Sequence, residues 1–108
     1  MEQKLFTELR TLYSLNWGKS NVIRIRVRMR DLVESNSIRY AVDTTMKRYP
    51  YFRVELKKEE EYYFAQNDRP IVITNSLSGV ELNTVESNYH FVSFSWKDNL
   101  IIMDISLA

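Results

Sequence analysis

The chain has 108 residues, 44% of them hydrophobic and 27% charged, with a formal net charge of +1, which fits one globular domain burying roughly two thirds of its unfolded-state surface. Two glycines and two prolines are too few for a linker, the absence of cysteine excludes disulfides, thiolate metal sites and a cysteine nucleophile, and the near-neutral charge argues against a general polyanion binder. The first residues lack the basic start and apolar run of a signal peptide and no apolar run reaches membrane-spanning length, so a cytoplasmic location with no membrane partner is expected.

In chain order, Leu5, Phe6, Leu9, Leu12 and Tyr13 recur at helical spacing and predict a helix over Glu2–Leu15, closed by Trp17-Gly18. Asn21–Arg30 follows as the most strictly alternating segment of the chain. Ile23, Ile25, Val27 and Met29 fall on one face of the predicted strand and Arg24, Arg26, Arg28 and Arg30 on the other. The apolar face needs a cover, which the helices are expected to provide, so that Ile25→Asp should unfold the domain. The arginine face meets water, acidic side chains or an anionic ligand. Basic residues dominate the first half of the chain and acidic ones the second, so pairing with Glu55, Glu59, Glu60 or Glu61 is expected to absorb most of this charge, and nucleic acid is not an expected partner.

A second helix is predicted over Ser37–Tyr49, with Ser35 or Asn36 as N-cap, an apolar stripe of Ile38, Ala41, Val42, Met46 and Tyr49, and Pro50 as its stop. Tyr51–Lys58 alternates as another strand, expected to lie parallel to the arginine strand in one sheet. Lys57–Glu61 is then the tip of a hairpin returning through Tyr62–Gln66, and Pro70 introduces a short edge strand, Ile71-Val72-Ile73. Thr74–Asn88 reads as a long polar loop. A closing hairpin is predicted from His90–Trp96, the Asp98-Asn99 turn and the nearly continuous apolar strand Leu100–Ala108. Together these elements predict an α+β, two-layer domain with a mixed sheet of five to six strands and two helices mainly on one face.

This order of parts, with Ile38-x-x-Ala41-Val42 leading into Lys47-Arg48-Tyr49-Pro50-Tyr51-Phe52-Arg53, resembles the N-terminal portion of the chloramphenicol acetyltransferase-like superfamily, which includes condensation domains and alcohol acetyltransferases. The resemblance implies half of that fold, within a larger acyltransferase that uses acyl-coenzyme A or an acyl carrier. The family's His-x-x-x-Asp-Gly signature follows a strand like Leu100–Ala108, so no catalytic, cofactor-binding or metal-binding residue carries over to residues 1–108. This portion alone is expected to be inactive and to bind no cofactor. Its expected partners are the remainder of its own chain or, for the isolated piece, a second copy paired through an uncovered Leu100–Ala108 strand.

Other candidates for chemistry are few. His90, the only histidine, reads as a partly exposed structural residue rather than as a base. Asp104 interrupts an apolar strand and needs a partner such as one of the arginines. Glu59-Glu60-Glu61 forms an acidic run at a hairpin tip, and Phe52, Phe94 and Trp96 fall on apolar strand faces as core. Two further function classes stay open beside the acyltransferase. One is a binding module that holds a polyanion on Arg24, Arg26, Arg28 and Arg30, and the other is an interaction domain that uses an open sheet edge.

Overall fold

The computed structural model describes residues 22–106. The expected helix Glu2–Leu15, its Trp17-Gly18 stop and the last two residues of the predicted closing strand lie outside the described residues. Within them the order is strand β1 (Val22–Arg28), helix α1 (Ser35–Arg48), the hairpin of β2 (Val54–Lys58) and β3 (Tyr62–Gln66), β4 (Ile73–Thr74), β5 (Val92–Lys97) and β6 (Leu100–Ser106). The class is α+β.

Two sheets are present rather than one of five to six strands. A four-stranded mixed sheet runs β1-β6-β5-β4, and β2 and β3 form a separate antiparallel pair. The expected parallel pairing of β1 with the Tyr51–Lys58 strand is therefore incorrect. A 3-10 turn, Pro50–Phe52, takes up the first residues of that segment, and Asn67 N–H donates to the Arg53 carbonyl at 2.8 Å, closing the hairpin on itself. The crossover lands instead on β4. It pairs parallel with β5, β5 antiparallel with β6 and β6 antiparallel with β1, so β1 and β4 run the same way at opposite edges. One helix covers this sheet among the described residues.

Helix α1 begins earlier than expected. Its N-cap is Glu34 with no side-chain capping bond, and Ile38 N–H already donates to the Glu34 carbonyl, which places Ser35 and Asn36 inside the first turn. Lys47 and Arg48 lie in the last turn, where cations complement the helix dipole. Ile38, Val42 and Met46, spaced four apart on one face, are buried with Ile71 and Val92 as the core, each side chain stabilising by about 1.5–3 kcal/mol. Ala41 is exposed, and Phe94, Ile101 and Met103 pack partly against this cluster.

Register assigns the two faces of the four-stranded sheet. Ile23, Ile25 and Val27 stand opposite Ile105, Met103 and Ile101, and these stand opposite Val92, Phe94 and Trp96, so all share the helix face. Yet Ile23, Ile25 and Val27 are 45–48% exposed. Helix α1 packs over β5 and β4 and does not supply its share of the cover expected for β1. The opposite face is the drier one: Ile102, Asp104, Ser93 and Ser95 are all buried, beneath the loop joining β4 to β5.

Candidate functional site

The arginine strand is fixed by one ion pair. Arg24 stands directly opposite Asp104 across the β1–β6 ladder, and its Nε and Nη2 donate to Asp104 Oδ1 and Oδ2 at 2.8 and 3.1 Å. Such a two-pronged contact suits the planar guanidinium. The same guanidinium donates to the carbonyls of Leu77 and Ser78 at 3.2 and 3.1 Å, binding the long loop to the sheet. The Asp104 bond holds the Arg24 pKa above its ordinary value, burial works against it, and the carboxylate charge adds to the rise. Gly79 lets the loop come this close. Its φ is +70°, and a Cβ there would lie 2.7 Å from Asp104 Oδ2, a position open to glycine alone.

The remaining arginines are not neutralised as expected. Arg28 Nη1 donates to Asn99 Oδ1 at 2.7 Å, and Asn99 also exchanges bonds with the Met29 backbone, so the β5–β6 turn clamps the end of β1. Arg26 stands opposite Ile102, and neither it nor Arg30 has an acidic partner among the described residues. Glu55 pairs with Arg69 at 2.6 Å, and Glu59 Oε1 accepts a long bond from the Tyr63 hydroxyl. Glu59, Glu60 and Glu61 sit exposed on the hairpin tip. None of the three pairs with an arginine of β1 among the described residues.

His90 is fully buried, with Nε2 2.7 Å from the Arg69 carbonyl and Nδ1 without a partner. The carbonyl can only accept, so Nε2 carries a proton, and burial pushes the pKa down, only partly offset by the carbonyl bond, which favours the neutral ring with a bare Nδ1. It joins the β3–β4 connection to the 85–90 turn. The sequence led one to expect a partly exposed histidine here, and the exposure is the part that differs: the ring is buried.

A trough with a volume of about 460 Å³ runs between α1 and the sheet, lined by Val42, Thr45, Tyr49, Phe94 and Met103 among others. It is almost wholly apolar. A second hollow of about 430 Å³, under Met29 to Glu34, adjoins it and shares Ile38, Ala41 and Ile101 with it. The sequence marked Phe94 as core and Ala41 as part of the packed stripe. Nothing in the periodicity shows that α1 would sit off-centre and leave a trough. Gly79 carried a weak signal as one of only two glycines in the chain, and the buried, unpaired Ser93 and Ser95 hydroxyls carried none. No known protein family, curated protein or solved structure matches the chain.

Proposed function

We propose that residues 1–108 form the N-terminal portion of an acyltransferase of the alcohol acetyltransferase or condensation type, contributing one wall of the channel for the acyl group and no catalytic residue. The observation that carries this reading is the apolar trough between α1 and the strands β5 and β6, an open hollow whose volume and lining suit an alkyl or acyl chain. The order of elements supports it: an alternating strand, a helix ending at Tyr49-Pro50, a hairpin, an edge strand, a long loop and a closing hairpin. In this reading acyl-coenzyme A or an acyl carrier supplies the group. The base is a histidine in a His-x-x-x-Asp-Gly run that follows Ala108.

Transfer from acyl-coenzyme A to a small alcohol tests the reading. The 108-residue chain should give none, since no described side chain stands as an accessible general base. Protein that includes the downstream run should be active, and replacing its first histidine by alanine should lower the rate by about two orders of magnitude or more. Transfer by the 108-residue chain itself, or a reading frame without that run, rejects the proposal.

A further inference from the structure

We propose that the outer edge of β1 is a docking strand for an extended segment of another protein in which acidic and apolar residues alternate. Among the described residues no strand pairs with this edge, although β1 is seven residues long and exposed on both faces. Its outward N–H and C=O groups are a template for one more strand.

Three features of β1 select the occupant. Ile23, Ile25 and Val27 are each nearly half exposed on one face, so an added strand gains by placing apolar side chains beside them. Arg26 on the other face has no acid opposite it on β6, where Ile102 occupies that register, and directly opposed side chains on one face interact most strongly. The inner side of the same strand already displays the preferred partner, since Arg24 holds Asp104 across the ladder at 2.8 Å. A strand whose acids face Arg26 and Arg28 repeats that arrangement on the outer side.

A second copy of the chain fits poorly. Twofold antiparallel pairing of β1 with itself sets arginine opposite arginine, and the parallel twofold alternative sets the arginine row beside the apolar row. A flexible polyanion would use the arginines but neither the open backbone nor the apolar face.

The probe is an acetylated, amidated peptide of about eight residues, long enough to span a strand such as β1, in which valine and glutamate alternate. Titrated into the whole 108-residue chain, it should bind, and the same peptide carrying lysine for glutamate should not. N-methylation of alternate amides on its pairing edge should abolish binding. The double variant Arg26→Glu, Arg28→Glu should bind the glutamate peptide about ten-fold or more weakly and bind the lysine peptide in its place. Circular dichroism and a urea midpoint on that variant establish that it is folded. The proposal is overturned if neither peptide binds, if both bind alike, or if the N-methylated peptide retains full affinity. Oligodeoxythymidine displacing the peptide with equal affinity, or light scattering that shows β1 closed by a second copy, overturns it too.

Discussion

At the scale of single residues, Asp104 and Arg24 decide more than any other pair. Asp104 is 4% exposed, so Arg24→Met leaves a buried carboxylate unpaired and should cost about 3 kcal/mol in urea unfolding. Arg24→Met with Asp104→Leu should recover most of that loss, because the penalty belongs to the orphaned charge. A single variant as stable as the parent would mean that the pair carries nothing. Gly79→Ala combines a left-handed backbone with a Cβ 2.7 Å from the Asp104 carboxylate, and the backbone alone costs about 1–2 kcal/mol. His90 adds a pH dependence. Its folded pKa lies below the unfolded value of about 6.5, so below that pH the unfolded chain binds a proton that the folded chain refuses. Stability should therefore fall as pH drops from 7 towards 5.5, and this component should be missing in His90→Gln.

At the scale of elements, exposure separates two isoleucines that the sequence treats alike. Ile102 is 2% exposed and Ile25 45%, so Ile102→Asp should unfold the domain, whereas Ile25→Asp should cost about 1 kcal/mol or less. Thermal melts of the two variants distinguish them, and equal loss in both would show β1 covered. Strand positions were legible because a two-residue period survives in β1, β2 and β5 whatever lies beside them, and because β6 is a nearly continuous apolar run. The Tyr62–Gln66 return of the hairpin and the turn at Asp98-Asn99 came out as read. Pairing was not legible. Nothing in Tyr51 to Lys58 indicates that Pro50–Phe52 makes a 3-10 turn and that the strand then pairs only with β3. The arginine partner of Asp104 was foreseeable from the cost of burying a lone carboxylate, but the choice of Arg24 among four required the β1–β6 register.

At the scale of the whole molecule, the buried strand Leu100–Ser106 has β1 on one side and β5 on the other. Both edges of this strand are thus paired among the described residues, and the open edge of the sheet there is β1. Its arginines oppose self-pairing at low ionic strength, while salt above about 0.5 M screens them to within a few ångströms. Light scattering should thus find less association at low salt than at high salt, and the reverse order would place the contact elsewhere. The proposed acyl channel is the trough beside α1. Ala41 lies on its wall, exposed on α1, and Ala41→Trp fills it without disturbing the buried stripe. The decisive measurement is the acyl-chain-length profile of transfer by protein that extends through the proposed His-x-x-x-Asp-Gly run, compared between the parent and Ala41→Trp. The account predicts that kcat/KM for a long-chain acyl donor falls by roughly ten- to a hundred-fold while acetyl transfer changes little, as loss of pocket volume requires. An unchanged profile, or no acyl transfer by the parent, would contradict it.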